Sequence, residues 1–231
     1  RQVFSLLTAL LAGWVAAGGL DWFTFLGLAV IAVASSTLHL GQKFRAHRAI
    51  LNWRNSWLSR EILLFSGFVV VSLLHLILGS PVIGWLAATL GFATLIAVDH
   101  VYAVTATGGL LYHSARTLFT GAMVLGIALG NPFLFVPAAL LKLLLYTYRK
   151  YSRARRGENA RLGLGVIRIG AGLILAGVLW STGVPSLGRA AVVCLAIGEI
   201  VDRCEFYLEQ EISTPGRQMR LDLQEDFGVR A

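Results

Sequence analysis

Titratable side chains stand at the ends of several long apolar segments of this sequence. His39 follows one apolar run, Glu61 precedes the next, and Asp99 and His100 end a third. Ionisable groups at membrane depth are costly, and they commonly mark a functional site. A histidine titrates near neutral pH, and a nearby carboxylate can pass its proton to water. These residue types predict a quinone or quinol site, because that chemistry moves two electrons and two protons.

The segment 39–61, HLGQKFRAHRAILNWRNSWLSRE, is long for a connection between apolar runs. Phe44 and Trp57 are candidate aromatic walls for a quinone ring. Its mixture of apolar, aromatic and basic residues predicts a short interfacial helix near 44–53. Its positive charges also predict a surface that docks an electron-transfer partner. We assign that docking to Lys43, Arg48, Arg54 and Arg60.

A second polar group lies in the last apolar run. Glu199, Asp202 and Arg203 fall at i, i+3 and i+4, so one helix face carries both signs of charge. Such a face predicts contact with the rest of a bundle and not with lipid. Arg168, inside the preceding run, is the expected partner of Glu199 or Asp202. Two interpretations of this pairing remain open. It is an ion pair that holds helices together, or it has a direct role in ligand binding.

These residues are set in an unusually apolar chain. It has 231 residues, of which 56% are hydrophobic and 14% charged, and its mean hydropathy is +0.71. A soluble domain carries about 25% charged residues. We therefore predict an all-α, polytopic membrane helix bundle over 1–209 and a polar tail over 210–231. About eight spans are expected, near 3–20, 22–38, 62–78, 82–98, 117–129, 132–148, 164–181 and 187–207.

The charge distribution predicts an orientation. The net charge is +8, and the basic residues concentrate in alternate loops and the tail. By the positive-inside rule, segment 39–61 and both termini should face the cytoplasm, in the inner membrane. The first run has no cleavage-site pattern, so we expect it to remain as a span. No nucleic-acid motif accompanies the positive charge. Cys194 and Cys204 have no metal or disulfide spacing and are interpreted as packing residues.

Other chemistries have less support. Nucleophile-elbow, P-loop, H-E-x-x-H and C-x-x-C patterns are absent from the sequence, so no catalytic residue or metal ligand is assigned. A haem b subunit would need two axial ligands at similar depth in the membrane. His39 and His100 lie near one interface and His75 lies towards the other, so His75 could not readily pair with either of them. A small-molecule transporter would need polar groups across the full membrane, and these stop on one side. Both remain as alternatives.

Two short patterns resemble the membrane anchor subunit of the dimethyl sulfoxide reductase family. The first is the H-L-G, R-A and S-x-x-S-x-E series, and the second is the spacing of glycine, arginine, phenylalanine and tyrosine at the end of the last run. Their residues here are His39-Leu40-Gly41, Arg45-Ala46, Ser56, Ser59 and Glu61, then Gly198, Arg203, Phe206 and Tyr207, with Tyr102 and Arg168 at matching positions. Gln42-Lys43 departs from the small residue and proline that usually follow H-L-G.

The resemblance implies an anchor without haem that exchanges electrons between a partner and menaquinone or ubiquinone. An iron–sulfur subunit with [4Fe–4S] clusters and a molybdopterin catalytic subunit are the expected partners, alongside the lipid bilayer. The family's site histidine corresponds to His39 and its loop glutamate to Glu61. The full expected quinone-binding set is His39, Arg45, Trp57, Glu61, Arg168 and Arg203, and the proton-transfer set is Glu61, Asp99 and His100.

The family includes two functional branches. The reductases oxidise quinol to reduce S- or N-oxides, and their H-L-G loop faces the periplasm. The sulfite-oxidising complexes have cytoplasmic catalytic subunits and reduce quinone. The basic charge of segment 39–61 favours the second branch, and the reductase anchor remains the alternative.

Overall fold

The computed structural model describes residues 2–15, 17, 21–38, 53–54, 56–105, 114–155, 157 and 162–209. The described residues form helices and turns without any strand, which confirms the all-α prediction. Eight helices follow one another in this part of the chain. They are α1 (Gln2–Val15), α2 (Trp22–Leu38), α3 (Trp57–Leu78), α4 (Pro81–Thr105), α5 (Thr117–Ala128), α6 (Pro132–Arg155), α7 (Leu162–Ile169, a π segment Gly170–Leu175 and Ala176–Ser181) and α8 (Pro185–Glu209).

The exterior of the helices is apolar. Within the described residues, three stretches are long and apolar enough to cross a membrane, namely Trp57–Leu78, Pro81–Val101 and Gly163–Ser181. Phe133 is 87% exposed, and Ile77 and Val82 are each 76% exposed. Large apolar side chains on the outside, with charged ones inside, reverse the pattern of a soluble protein. The protein is therefore membrane-associated.

Sharp turns join neighbouring helices. Gly79, at φ 64°, ends α3, and its N–H donates to the carbonyl of His75 at 2.8 Å. Gly130, at φ 65°, turns the chain between α5 and α6, as the Gly130-Asn131-Pro132 sequence predicts. Positive φ is open to glycine because it has no Cβ. These turns are short, so α3 and α4 form one antiparallel hairpin and α5 and α6 form another.

Some helix limits differ from the prediction. α3 begins at Trp57 and not at 62, because Ser56 caps it by accepting a hydrogen bond from the Ser59 N–H at 3.4 Å. α6 continues to Arg155, beyond the predicted end at 148. Of the interfacial helix predicted near 44–53, residues 44–52 lie outside the described residues, and residues 53–54 form a turn. The tail 210–231 also lies outside them.

Two apolar clusters form the interior, and α1 contributes to both. The first joins α1 to α2, α3 and α4, and the second joins α5, α6, α7 and α8 with Leu10 and Trp14 of α1. Small residues let α1 approach its neighbours closely. A Cβ on Gly13 would lie 2.8 Å from the backbone nitrogen of Leu125, and one on Gly91 would lie 2.6 Å from the Ala12 Cβ. α1 is thus the central helix that positions both halves.

Candidate functional site

An aromatic and imidazole pair closes one end of the α3–α4 hairpin. The ring of Trp57, the first residue of α3, stacks on His100 of α4 with centroids 4.2 Å apart and planes 22° apart. His100 Nδ1 lies 2.9 Å from the carbonyl oxygen of Ile96. A carbonyl only accepts hydrogen bonds, so this contact places the hydrogen on Nδ1. In that tautomer Nε2 is the hydrogen-bond acceptor of the ring.

Arg60 fixes the preceding turn against this pair. Its guanidinium carbon lies 4.4 Å from the centre of the Trp57 ring. The same side chain donates to the carbonyl of Trp53 at 3.0 Å and to that of Arg54 at 2.5 Å. The turn at 53–54 is therefore held at the start of α3, where segment 39–61 joins the bundle.

Glu61 belongs to the inner face of α3. It is 4% exposed and shares a helix face with Phe65, Phe68 and Ser72. That face ends at His75, whose Nδ1 lies 2.7 Å from the carbonyl oxygen of Ser80. His75 and the Trp57–His100 pair thus occupy opposite ends of the hairpin.

Asp99 caps the start of α5. Its carboxylate accepts hydrogen bonds from the Thr117 N–H and the Thr117 hydroxyl, both at 2.8 Å, and from the Leu118 N–H at 3.2 Å. Arg116 Nε lies 3.8 Å from its second oxygen. A carboxylate at a helix N-terminus satisfies amides that have no partner within the helix and interacts favourably with the helix dipole. Asp99 therefore connects α4 to α5, one residue from His100.

A separate ionic cluster occupies the space between α6, α7 and α8. Glu199 accepts from Arg168 Nη2 at 2.6 Å and from the Thr120 hydroxyl at 2.7 Å, and it also pairs with Lys142 Nζ. Lys142 donates a further bond to the Thr120 hydroxyl oxygen at 2.8 Å. Lys142 and Glu199 have no exposed surface in the described structure. This arrangement confirms the predicted pairing of Arg168 with the acidic face of the last helix.

The cluster continues along α8. Asp202 pairs with Arg149 at 3.1 Å and accepts from the Ser114 hydroxyl at 2.8 Å. Its other oxygen lies 3.6 Å from Arg168 Nε. Glu199 and Asp202 therefore face basic side chains of α6 and α7 from one side of α8.

Glu205 ends this row of carboxylates. It pairs with Lys150 at 2.5 Å and with Arg149 at 3.2 Å, and it accepts from the Tyr146 hydroxyl at 2.7 Å. Arg203, on the neighbouring face, donates to the Ser5 hydroxyl of α1. Long polar side chains thus span the gap between α6 and α8 and tie α8 to α1.

α7 and α8 cross at backbone distance beside Arg168. A Cβ on Gly172 would lie 2.6 Å from the Gly198 Cα and 3.0 Å from Arg168 Nη1. The crossing falls in the π segment Gly170–Leu175. Small residues permit such close packing of helices in membranes, and here they also leave room for the guanidinium.

Sequence analysis missed the basic side of this cluster. Lys142, Tyr146, Arg149 and Lys150 follow one another at i, i+4, i+7 and i+8, which is one helical face. The predicted run 132–148 stops before Arg149 and Lys150 and so leaves them in the following loop. The structure places both in α6, with Lys150 8% exposed and Arg149 bonded to α8. The signal available in the sequence was this basic helical face in one run together with the acidic residues Glu199, Asp202 and Glu205 in another.

The predicted site residues separate into three groups. The first group lies at the end of the α3–α4 hairpin, where Trp57 contacts His100 and Arg60 donates to the Arg54 carbonyl. Glu61 and Asp99 are buried in the same hairpin. The second group is Arg168 and Arg203, which take part in the contacts of α8. His39, Lys43, Arg45 and Arg48 lie outside the described residues. The quinone-binding, proton-transfer and docking roles stay predictions.

Across the part of the chain that the structure describes, His, Cys, Asp and Glu form no group of three or more that could hold a metal ion. No family model matches the chain, and no curated protein or solved structure is significantly similar to it. The fold and the geometry of its polar clusters therefore carry the functional argument.

Proposed function

We propose that this chain is the quinone-reactive membrane anchor of a molybdopterin iron–sulfur oxidoreductase. A [4Fe–4S] cluster on a partner subunit would exchange electrons with menaquinone or ubiquinone held by this chain. The preferred direction is quinone reduction coupled to sulfite oxidation on the molybdopterin subunit. An S- or N-oxide reductase that oxidises quinol is the alternative within the same family.

The observation that carries the proposal is the end of the α3–α4 hairpin. Trp57 stacks on His100, and Glu61 is buried one helical turn into α3. The S-x-x-S-x-E pattern, which contributes to the family resemblance, supplies the cap of this helix through Ser56 and Ser59. An aromatic wall, an imidazole and a buried carboxylate are the groups that a quinone site needs.

The proposed reaction takes two electrons and two protons to convert quinone to quinol. The electrons come singly from the partner's cluster. His39 binds one quinone oxygen, and Glu61 shapes the pocket beside it. His100 Nε2 and the nearby carboxylates return protons from water to the site. Arg45 and Trp57 complete the ring pocket, and Arg168 and Arg203 are the more remote members of the proposed set.

The proposed arrangement in the membrane has about eight spans in the inner membrane. The segment 39–61 and both termini face the cytoplasm, and Lys43, Arg48, Arg54 and Arg60 dock the iron–sulfur subunit. The positive charge of that segment supports this orientation. A cytoplasmic docking surface is what a sulfite-oxidising complex requires.

The experiment compares His39→Ala with His47→Ala, a second histidine from the same segment, in the purified complex. Electron transfer from substrate to a soluble dye reports on the catalytic subunits, and transfer to a quinone reports on the anchor. His39→Ala should abolish quinone reduction and leave dye reduction and assembly intact. His47→Ala should retain both activities. Full quinone activity in His39→Ala contradicts the assigned site.

A further inference from the structure

The stretch 114–118 at the start of α5 is held by carboxylates from two other helices. The Thr117 N–H and hydroxyl both donate to Asp99 of α4 at 2.8 Å. Three residues earlier, the Ser114 hydroxyl donates to Asp202 of α8 at 2.8 Å. Ser114 is 0% exposed and Thr117 is 2% exposed, so both contacts are shielded from water. One turn of backbone therefore joins α4 to α8.

Asp202 is itself held by two further helices. Arg149 of α6 lies 3.1 Å from Oδ1, the oxygen that Ser114 also contacts. Arg168 Nε of α7 lies 3.6 Å from Oδ2. A carboxylate that faces two guanidinium groups and a hydroxyl has little freedom to move. Ser114 therefore attaches the start of α5 to the ionic cluster of α6, α7 and α8.

Asp99, the other carboxylate, is followed directly by His100. The His100 ring stacks on Trp57 with centroids 4.2 Å apart. Because Asp99 and His100 are consecutive residues of α4, a displacement of the carboxylate also moves the imidazole relative to Trp57. The position of the start of α5 is thus one residue away from the stacked pair.

We infer that Ser114 is a positioning residue for the end of the α3–α4 hairpin. Its bond to Asp202 fixes the first turn of α5, and that turn holds Asp99. Asp99 in turn sets where His100 meets Trp57. Functional groups have to be held within about 0.5 Å of their working geometry. The effect of Ser114 on quinone reduction rests on the proposed function, whereas its effect on the stacked pair does not.

The first test measures the fluorescence of Trp57 in the full chain in detergent. The Trp57 signal is the difference between each protein and the same protein with Trp57→Phe, and His100→Leu gives the signal of the unstacked ring. Ser114→Ala should move the signal towards that of His100→Leu. Ser66→Ala is the matched control, because the Ser66 hydroxyl bonds to the Ile62 carbonyl of its own helix at 2.8 Å. It should leave the signal unchanged.

Hydrogen exchange reports the intermediate step. The Leu118 amide donates to Asp99 at 3.2 Å. Its exchange should become about fivefold faster in Ser114→Ala, as expected for the loss of one hydrogen bond, and unchanged exchange would contradict the link. In an Asp99→Ala background, Ser114→Ala should change the Trp57 signal no further, because the two residues act in series.

The purified complex gives the consequence for the reaction. Ser114→Ala should lower kcat for quinone reduction several-fold and leave KM for the quinone and dye reduction unchanged. The split is expected because Asp99 and His100 belong to the proposed proton-transfer set, whereas His39 binds the quinone.

Several outcomes would overturn the positioning role. They are an unchanged Trp57 signal in Ser114→Ala, an equal change in Ser66→Ala, and additive changes in Asp99→Ala/Ser114→Ala. A displaced signal with full kcat for quinone reduction would overturn the part of Ser114 in the reaction. Full quinone activity in His39→Ala would contradict the proposed function alone and would leave the fluorescence result for Ser114 standing.

Discussion

Arg168 of α7 and Glu199 of α8 are joined by a 2.6 Å contact between Nη2 and Oε1, with 1% and 0% of the two side chains exposed. Lys142 of α6 shares the same carboxylate, so three helices meet at one negative charge. Buried ion pairs add little net stability compared with an apolar replacement, but removal of one partner strands the other charge. Glu199 therefore determines how α6, α7 and α8 fit together.

Replacement of Glu199 by Gln should destabilise the bundle strongly. The change leaves Lys142 and Arg168 without their shared countercharge, and a broken buried pair typically costs about 3–5 kcal/mol. Thermal unfolding in detergent, followed by circular dichroism, measures the loss. Arg189→Gln, at an exposed position of α8, should leave the midpoint within error.

The double variant Lys142→Met/Glu199→Gln tests whether the two residues act together. It should recover part of the stability lost in Glu199→Gln, because one of the two stranded charges is removed. Additive losses from the two single changes would contradict the shared pair.

Replacement of Gly198 by Ala should separate α7 from α8. The added Cβ would lie 3.1 Å from Arg168 Nη1 and would overlap the backbone of Gly172. Overpacking of this kind costs about 1–3 kcal/mol. Gly188→Ala is the matched control on the same helix, because a Cβ there meets nothing within 4 Å. A lower unfolding midpoint for Gly198→Ala only is the expected result, and equal midpoints would argue against the close crossing.

The sequence is sufficient to predict the helical class, the turn at Gly130 and the pairing of Arg168 with α8. These features follow from apolar runs, from turn residues and from the spacing of the acidic residues of α8. Lys142 was missed because a single lysine within LLKLLL leaves the run apolar overall. Its role depends on which helix packs against α6, and only the tertiary structure shows that.

The π segment in α7 was also beyond prediction from the sequence. A change from i+4 to i+5 bonding has no composition signal, and here it coincides with the close crossing at Gly172 and Gly198. The contact of Trp57 with His100 could not be predicted from the apolar run, because α3 starts at Trp57, five residues before that run. Each case depends on the packing of one helix against another.

Replacement of Asp99 by Ala should loosen the start of α5. The carboxylate accepts from the Thr117 and Leu118 amides, and loss of a buried acceptor that satisfies such groups costs about 1–3 kcal/mol. Hydrogen exchange of the Thr117 amide, measured by mass spectrometry, should become faster. Asp99→Asn keeps one acceptor oxygen and should show a smaller change. Unchanged exchange in Asp99→Ala would mean that the cap does not hold α5.

Acid should weaken the cap of α2. Hydrogen bonds from the Thr24 hydroxyl and amide to Asp21, at 2.6 Å and 2.9 Å, hold the pKa of this carboxyl below its ordinary value of 3.8. A lowered pKa means that the ionised form stabilises the folded helix above pH 3.8 and that this stabilisation is lost as the pH falls through the lower folded value.

The Thr24 amide gives a direct readout of this effect. Its protection from hydrogen exchange, corrected for the intrinsic pH dependence of exchange, should fall in strongly acidic buffer. Asp21→Asn, which does not titrate, should show no such fall. A pH-independent protection factor in the unaltered chain would contradict the assigned cap.

The most direct test of the central claim is a gentle detergent purification of this chain from its native membrane. Mass spectrometry identifies the subunits that accompany it, and an optical spectrum reports bound haem. The proposed function predicts an iron–sulfur protein and a molybdopterin protein without export signals, extractable quinone and no haem bands. A chain that purifies without redox partners would contradict the anchor function, and haem bands would favour a cytochrome b subunit instead.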